Sequence, residues 1–147
     1  MSYLEVFWSP SREDNFTTAS TQGKDSAKAA NYQLARQRAS AEDKPGPGLV
    51  PLKLFYSEQR KDNFTTATTI GEQSALAAGY RFVRIEGYVW PTPQPATTGL
   101  WALRLYWHAG RGDNFLTTCR EDEEAAKAAG YRFVRIEAYA QPLVRFD

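Results

Sequence analysis

The chain has 147 residues, which is enough for one domain with a sizeable core or for an array of small units that share a core. Because 18 Lys and Arg residues nearly balance 17 Asp and Glu residues, the formal charge of +1 gives no overall field that would attract nucleic acid or an anionic membrane. The single cysteine, Cys119, excludes a disulfide within the chain.

The N-terminal segment MSYLEVFWSP has neither a basic n-region nor a long apolar h-region. No uninterrupted apolar run approaches the roughly 20 residues that a membrane-spanning helix needs. We therefore expect no membrane insertion and, from the sequence as written, a cytoplasmic protein. The protein is secreted if a signal peptide has been removed.

One pattern occurs three times along the chain. Residues 52–89 and 103–140 agree at 20 of 38 aligned positions. Residues 4–41 follow the same pattern as far as Tyr32 and then depart from it, with QLARQRAS in place of RFVRIEGY or RFVRIEAY. Proline and glycine in the two intervening segments, EDKPGPGLVP and PTPQPATTGLWA, are typical of turns or short stiff linkers. We predict a single domain over residues 1–147, with repeats at 3–42, 51–90 and 102–141.

Each repeat begins with two predicted strands. In LKLFY, apolar and polar residues alternate as in a half-buried strand, and the threonine-rich NFTTAT follows after a short polar loop, which predicts a hairpin. GEQSALAAGY then predicts a helix of about two turns that ends at Gly79. Gly130 and Asn31 occupy the same position in the other repeats, and both residue types tolerate a positive φ angle.

The repeat ends with a long predicted strand, RFVRIEGYVW. Strict alternation places Val83, Ile85 and Val89 on a core face. On the opposite face, Arg84 and Glu86 are expected to form an ion pair, as are Arg135 and Glu137 in the third repeat.

Units of this size have too little apolar area to fold alone, so we expect the three repeats to share a core. The predicted fold is mainly β with short helices, a β-trefoil-like pseudo-threefold single domain of three ββαβ repeats. A bend near Gly87 or Ala138 would let the last strand supply two strands of a trefoil unit. The alternative is a closed three-bladed or otherwise pseudo-threefold ββαβ assembly. In either arrangement, equivalent buried positions are expected for Phe16, Phe64 and Phe115.

The motif Asp-Asn-Phe has two interpretations. As a structural element, Asp14, Asp62 and Asp113 would close the hairpin loop by accepting backbone N–H bonds in an Asx-turn. As a binding site, a carboxylate and an amide would hold vicinal hydroxyls while an aromatic ring packs against a sugar. Each hairpin brings an aromatic residue at the end of its first strand and an arginine near the Asp-Asn pair. The ligand-binding candidates are Trp8, Arg12, Asp14, Asn15, Tyr56, Arg60, Asp62, Asn63, Trp107, Arg111, Asp113 and Asn114.

Several other motifs are assigned no function. The sequence RGD at 111–113 corresponds to RED and RKD in the other repeats, so it is interpreted as a loop variant. The pattern NFT at Asn15 and Asn63 matches a glycosylation acceptor, but it has no role without secretion. The acidic residues at 121–124 fall in the first turn of the third helix, where the helix dipole favours negative charge, and we do not expect a metal site there.

Catalytic motifs are few. His108 and Cys119 would make a dyad only if facing strands brought them together, and the sequence offers no third group to orient them. It also has no phosphate-binding loop and no zinc-ligand spacing. We therefore expect a protein that is not an enzyme and that needs no cofactor or metal.

The strings LYWHAGRGDNFLTT and AGYRFVRIEAYA, with their second-repeat counterparts, resemble a short tandem repeat found in actinobacterial, other bacterial and fungal proteins, often beside hydrolase domains. This repeat is similar in layout to β-trefoil lectins. The resemblance covers nearly the whole chain apart from the linkers. It implies an accessory module that binds carbohydrates or surfaces.

The first functional hypothesis is thus a carbohydrate-binding, lectin-like module whose partners are glycans or glycoconjugates. Its weak sites would act together, and the site of the first hairpin is expected to be weaker or lost because the end of that repeat is altered. The alternative is a protein-binding module, such as a protease inhibitor or a toxin-like defence protein, that uses one of the two inter-repeat loops. A purely structural or enzymatic role is the remaining class.

Overall fold

The computed structural model describes residues 1–94 and 99–143. The fold is mainly β with three short helices, as predicted. The elements in chain order are β1 (Ser2–Ser9), β2 (Asp14–Thr18), α1 (Thr21–Ala29), β3 (Gln33–Ala41), β4 (Val50–Ser57), β5 (Asp62–Thr66), α2 (Thr69–Ala77), β6 (Arg81–Val89), β7 (Trp101–His108), β8 (Asp113–Thr117), α3 (Arg120–Ala128) and β9 (Arg132–Pro142).

Each repeat forms an antiparallel unit of three strands with its first strand in the middle. In the second repeat, β4 pairs with β5 as a hairpin on one side and with β6 on the other. The first and third repeats pair their strands in the same way, so the predicted hairpins are confirmed. The short strands β2, β5 and β8 contact one another in all three combinations.

Backbone pairing also joins the repeats near the ends of their last strands. β3 pairs with β9 at Ser40 and Gln141, which links the first and third sheets into one of six strands. Isolated bridges join Glu42 to Tyr88 and Trp90 to Tyr139. Every repeat is thereby tied to both others.

The last strand of each repeat differs from prediction in two respects. β6 and β9 continue through Gly87 and Ala138, so the expected bend into two strands is wrong. The pairing of β6 with β4 shifts register twice, at Glu86 and at Val83, and each bulge interrupts the alternation of faces. As a result Val83 is 41% and Ile85 43% exposed, which corrects the predicted core face, whereas Val89 is fully buried.

The predicted end of α2 at Gly79 is confirmed, and side-chain caps begin α1 and α2. The hydroxyl of Ser20 accepts a hydrogen bond from the Gly23 N–H at 3.0 Å, which caps the start of α1. α2 ends in a Schellman motif, because the Tyr80 N–H donates to Ala75 and Gly79, with a φ of 85°, donates to Leu76. This turn brings Tyr80 back beneath its own helix.

One central cluster and three peripheral clusters form the core. Leu4, Leu52 and Leu103, one from each repeat, are fully buried together in the centre. Each peripheral cluster combines a helix alanine, three aromatic rings and one aliphatic residue from the next repeat, namely Leu54, Leu105 or Val6. The predicted equivalence in burial of the three phenylalanines is confirmed, since Phe16, Phe64 and Phe115 are each 2% exposed.

The two inter-repeat segments differ in how far they can be described. Residues 42–51 are described throughout, with Gly48 at a φ of 76°. Residues 95–98, in the middle of the second segment, lie outside the described residues. Across residues 1–94 and 99–143, every helix is too short or too polar to cross a membrane.

Candidate functional site between the repeats

Each aspartate of the repeated motif begins a short strand, directly after a residue whose backbone lies in the left-handed region. The φ angles of these preceding residues are 53° at Glu13, 55° at Lys61 and 64° at Gly112. The aspartate side chain therefore points away from its own loop, toward the place where β2, β5 and β8 meet.

The loop is braced by a side chain of the first strand instead. The Arg60 N–H donates to the Ser57 hydroxyl at 3.1 Å, and in the third repeat the Arg111 N–H donates to His108 Nδ1 at 3.0 Å. The predicted Asx-turn is wrong, because the aspartate carboxylates accept their hydrogen bonds from other parts of the chain.

Asp14 illustrates what the carboxylates do. It is 1% exposed, and it accepts the backbone N–H of Asn63 at 3.2 Å and the Asn63 Nδ2 at 2.8 Å. The Tyr32 hydroxyl donates to the same carboxylate at 2.5 Å. Asp14 thus links a tyrosine of its own repeat to an asparagine of the next repeat.

The same three contacts recur at the other two boundaries. Asp62 accepts hydrogen bonds from Asn114 and from Tyr80, whose hydroxyl is 2.5 Å away. Asp113 accepts from Tyr131 and from Asn15 of the first repeat, with the Asn15 Nδ2 at 2.8 Å. Since the third repeat leads back to the first, these hydrogen bonds form a closed ring.

The three carboxyl groups lie close together at the centre of that ring. One oxygen from each of Asp14, Asp62 and Asp113 falls within 4.8 Å of the others. Burial and the neighbouring carboxyl groups raise the pKa of Asp62 to about 8 and hold the pKa values of Asp14 and Asp113 well above their usual range. The cluster therefore retains protons near neutral pH, and each carboxyl group already accepts a backbone N–H, an asparagine amide and a tyrosine hydroxyl. This chemistry favours a proton-sharing structural core over a cation site.

The arginines and aromatic residues of the hairpins meet across repeat boundaries. The Arg60 guanidinium lies 5.6 Å from the ring centroid of Tyr80 and 5.3 Å from that of Trp107 in the next repeat. Arg111 lies between Tyr131 and Trp8 in the same way, at 5.7 and 5.3 Å. Each arginine was expected to act with the aromatic residue of its own hairpin. That expectation is wrong for Arg60 and Arg111, which contact the hairpin tryptophan of the next repeat.

A cavity lies at each boundary beside these stacked groups. Each cavity is named for the two repeats that it separates. The one–two cavity has a volume of about 250 Å³ and is lined by Arg12, Tyr32, Tyr56 and Asn63. The two–three cavity, of about 300 Å³, is lined by Arg60, Tyr80, Trp107 and Asn114, and the three–one cavity, of about 280 Å³, by Arg111, Tyr131, Trp8 and Asn15. Each cavity is closed on one side by the helix of the earlier repeat and on the other by the last strand of the later repeat.

A second arginine lines each cavity from that last strand. These residues are Arg84, Arg135 and Arg36 in the one–two, two–three and three–one cavities. The predicted ion pairs are confirmed, with Arg84 3.0 Å from Glu86 and Arg135 2.7 Å from Glu137. Arg36 pairs with Asp122 of α3.

The structure divides the twelve predicted site residues into two groups. The aromatic residues Trp8, Tyr56 and Trp107 are half-buried and line the cavities together with the hairpin arginines and asparagines. The three aspartates are each 1% exposed. Their expected direct contact with a sugar is therefore corrected to a supporting role, because a buried carboxylate that orients Asn and Tyr cannot reach a ligand.

Two sets of cavity residues were missed by the sequence analysis. Tyr32, Tyr80 and Tyr131 were assigned no role in a binding site. A tyrosine recurs at this position in all three repeats, and that recurrence was the pattern that could have identified them. Arg84 and Arg135 were predicted only as members of ion pairs along a strand face, and Arg36 was assigned no role. Only the packing of one repeat against the next shows that they line a cavity.

The other sequence motifs have structural explanations. Asp113 of the RGD segment is buried in the carboxyl cluster, so the segment cannot present its carboxylate to a receptor. Asn63 is 8% exposed, and its Nδ2 donates to Asp14 and Tyr32, so this nitrogen cannot carry a covalently attached glycan. His108 packs on Tyr131 at 5.0 Å, and Cys119 forms the cap of α3, where burial raises the pKa of its thiol to about 11.

A larger groove of about 910 Å³ lies beside α3 in the third repeat. Its walls include Trp101, Tyr106, Phe133 and Tyr139, and Glu123 accepts hydrogen bonds from Tyr106 and Arg104 across it. The groove is wide and open. One of its four aromatic residues, Trp101, corresponds to Val50 in the second repeat. The groove is therefore a competing location for a ligand, but one that the repeats do not share.

Comparison with protein families identifies one match that covers most of the chain. A family model described as a domain of unknown function, DUF5648, matches residues 5–141. The chain belongs to the DUF5648 family. The DUF5648 match extends over all three repeats, from β1 into β9. Comparisons with curated proteins and with solved structures gave no match.

Proposed function

We propose that the protein is a carbohydrate-binding module whose sites are the three cavities between repeats. The observation that carries this proposal is the recurrence of one set of groups at every boundary: an aromatic ring of the hairpin, an arginine 5.6–5.7 Å from the centroid of a tyrosine ring, and an oriented asparagine amide. The aromatic face offers an apolar platform to the C–H side of a sugar ring, and the polar groups hydrogen-bond its hydroxyls.

The buried hydrogen bonds support this proposal because they fix the polar groups in advance. In the two–three cavity, Asp62 holds both the Asn114 amide and the Tyr80 hydroxyl, and Tyr80 stacks with Arg60. A site whose groups are already oriented loses little conformational entropy on binding.

The cavity volumes indicate how much ligand each site accepts. Volumes of about 250–300 Å³ fall at the lower end of the range for small-molecule sites. Each cavity therefore suits one or two sugar units and a weak affinity. A millimolar site contributes about 4 kcal/mol, and linked sites raise avidity by roughly 10² to 10⁴ on a matching surface.

The finer prediction for the fold is part of the same proposal. We propose a pseudo-threefold ring, the feature common to the β-trefoil-like layout and to its three-bladed alternative. The cyclic Asp–Asn bonds and the mutual contacts of β2, β5 and β8 support it. The three-stranded repeats favour the alternative layout over a four-stranded trefoil unit.

The protein-binding alternative rests on the inter-repeat loops. The loop at 42–51 has a left-handed Gly48 and several exposed residues, but it contacts none of the three cavities. A module that acted through this loop would lose activity when the loop is replaced and keep it when Trp107 is changed. The carbohydrate proposal requires the opposite result.

The test uses the four tryptophan indole N–H signals in NMR spectra, assigned with single Trp→Phe variants. Trp8 lies in the three–one cavity, Trp107 in the two–three cavity, and Trp90 and Trp101 lie in neither. Titration with mono- and oligosaccharides is expected to shift the Trp8 and Trp107 signals. Shifts confined to Trp101 would place the ligand in the larger groove and overturn the proposal.

A matched pair of variants extends the test. Trp107→Ala is expected to weaken binding at the two–three cavity by roughly tenfold or more, since an aromatic platform contributes about 0.5–1.5 kcal/mol beyond its buried area. Because this variant lacks the Trp107 indole, the loss is read from the side-chain amide signals of Asn114. The Trp8 response should persist in this variant. Trp90→Ala, a change outside the cavities, should leave both responses intact, with circular dichroism used to verify folding.

A further inference from the structure

The charges that line the cavities are unbalanced. Each cavity has two arginines, Arg12 with Arg84, Arg60 with Arg135, or Arg111 with Arg36, and no acidic side chain from the described ranges lines any of the three. This arrangement contrasts with the chain as a whole, where 18 basic residues face 17 acidic ones. Only basic side chains thus line the cavities, although the second arginine of each is paired with a buried carboxylate outside the lining.

The two arginines of a cavity have different partners. In the two–three cavity, Arg135 pairs with Glu137, whose side chain is fully buried against the start of α2. Arg60 is exposed and stacks on Tyr80 and Trp107. One guanidinium nitrogen, Nη1, donates to the Tyr80 hydroxyl at 3.4 Å, and the other N–H groups of Arg60 remain for a ligand.

The buried aspartates do not cancel this charge. Asp62 lies behind Tyr80, 1% exposed, and accepts the tyrosine hydroxyl. Its raised pKa, caused by burial and by Asp113, keeps the group largely neutral near pH 7. The cavity thus presents a net positive charge next to an aromatic platform.

We propose that the three cavities bind acidic saccharides, in which a carboxylate or a sulfate on the sugar accepts the N–H edge of the stacked arginine. This inference rests on the proposed function and names its ligand class. A planar guanidinium pairs with two oxygens of an anion at once, and such charge-assisted bonds are stronger than those between neutral groups. The asparagine amide and the aromatic ring then hold the rest of the sugar.

The repeats predict an order of affinities. The one–two and two–three cavities have Val83 and Val134 beside the second arginine, whereas the three–one cavity has Ala35 there. Arg111 of the three–one cavity also forms an ion pair with Glu13 at 3.4 Å, which competes with an anionic ligand. The three–one cavity is therefore the weakest of the three.

The experiment compares ligands that differ only in charge. One pair is a galacturonic acid trisaccharide and its methyl ester; a second pair is a sulfated galactose oligosaccharide and its desulfated form. The acidic member is expected to bind at least tenfold more tightly, with an affinity that falls as salt is added. The two pairs distinguish carboxylate from sulfate recognition, and preference for either anion supports the inference.

Single substitutions locate the effect. Arg60→Gln is expected to reduce binding of the acidic ligand at the Trp107 signal by roughly tenfold to a hundredfold, the range for a lost hydrogen bond to a charged group. Its binding of the methyl ester should fall by a clearly smaller factor, about twofold to tenfold, because the ester loses only a hydrogen bond to a neutral group. Lys44→Gln removes the same charge from an exposed loop residue outside the cavities and should change neither.

The possible failures are distinct. If the methyl ester and the desulfated sugar bind as tightly as their acidic partners at Trp8 and Trp107, the acidic-ligand inference is wrong and the proposed function stands. If no saccharide shifts either signal, the proposed function is wrong, and this inference fails with it. Equal loss of acidic and neutral binding in folded Arg60→Gln would assign Arg60 a structural role and overturn the inference.

Discussion

Arg36 of the first repeat donates to the carboxylate of Asp122 in α3, which is fully buried. Asp122 also accepts the backbone N–H and the hydroxyl of Thr118, each at 2.7 Å. At the other two boundaries, this role belongs to a glutamate on the last strand of the following repeat. Glu86, for example, accepts the Thr18 hydroxyl at 2.6 Å and the N–H groups of Ala19 and Ser20.

This difference explains why the first repeat tolerates an altered ending. Arg38 occupies the position of Glu86, so the first repeat cannot supply a carboxylate to α3. Asp122 occupies the position of Gly23 and supplies that carboxylate from the helix itself, while Arg38 pairs with Glu121. Two changes far apart in sequence thus preserve one buried contact.

We predict that Asp122→Gly destabilises the protein by about 3–5 kcal/mol, because it leaves Arg36 and the Thr118 donors without their partner. Adding Arg38→Glu should recover part of this loss by recreating the arrangement at the other boundaries, although Arg38→Glu alone should destabilise. Urea unfolding of the two single variants and the double variant measures the coupling. Strictly additive effects would contradict the prediction.

A second prediction concerns pH. The folded-state pKa of Asp62 is about 8, whereas a free aspartate has a pKa near 3.9, so folding favours the protonated form. Its contribution to stability is complete below about pH 4 and is lost as the pH rises through 8. We expect the free energy of unfolding to decrease over this interval, with Asp14 and Asp113 contributing in the same direction.

Asp62→Asn tests the origin of this slope. The variant is expected to be less stable than the parent at pH 5, by about 1–3 kcal/mol, because one donor of Asn114 loses its acceptor. Its stability should, however, depend less on pH between 4 and 8. Asp25→Asn, on the exposed side of α1, is the control and should retain the parent slope. An unchanged slope in Asp62→Asn would rule out the buried cluster as its source.

The third prediction compares two phenylalanines of the second repeat. Phe64 is 2% exposed and packs edge-to-face on Tyr80, so Phe64→Ala should cost about 3–5 kcal/mol through lost burial and a residual cavity. Phe82 is 51% exposed on β6, and Phe82→Ala should cost much less. Thermal or urea unfolding measures both, and similar losses would be inconsistent with the described core.

The fourth prediction concerns the glycine near the start of α2. A Cβ atom on Gly71 would lie 1.9 Å from the Thr66 Oγ1, whose hydroxyl donates to Glu137. Alanine is favoured over glycine within helices by about 1 kcal/mol, yet we expect Gly71→Ala to destabilise because overpacking costs about 1–3 kcal/mol and displaces this hydrogen bond. Unfolding measurements on Gly71→Ala test this, and a stabilised variant would contradict it.

The local elements were predictable because they follow from short-range physics. The helix ends at Gly79 and Gly130 required only a residue that accepts a positive φ, and the hairpins required only alternation and a polar loop. The burial of Phe64 followed from its register after that loop. These features are determined within one repeat.

The features that escaped prediction depend on contacts between repeats. Asp62 read as a loop residue because its partner, Asn114, lies 52 positions away in sequence. Val83 and Ile85 read as core because alternation does not show where a bulge falls. The pairing of Arg60 with Trp107 likewise required the relative placement of two repeats. A repeated sequence shows that a boundary recurs but does not show which side chains meet across it.

The closed ring of boundary contacts has a consequence for the engineering of the protein. The second repeat carries both complementary halves of a boundary: Asp62 and Tyr80 face the following repeat, while Asn63 faces the preceding one. A peptide of this repeat alone is therefore self-complementary in a head-to-tail sense. Where the rotation between neighbours closes, such heterologous interfaces generate rings instead of filaments. Three copies of the second repeat are therefore expected to close the same ring of Asp–Asn contacts without covalent linkers.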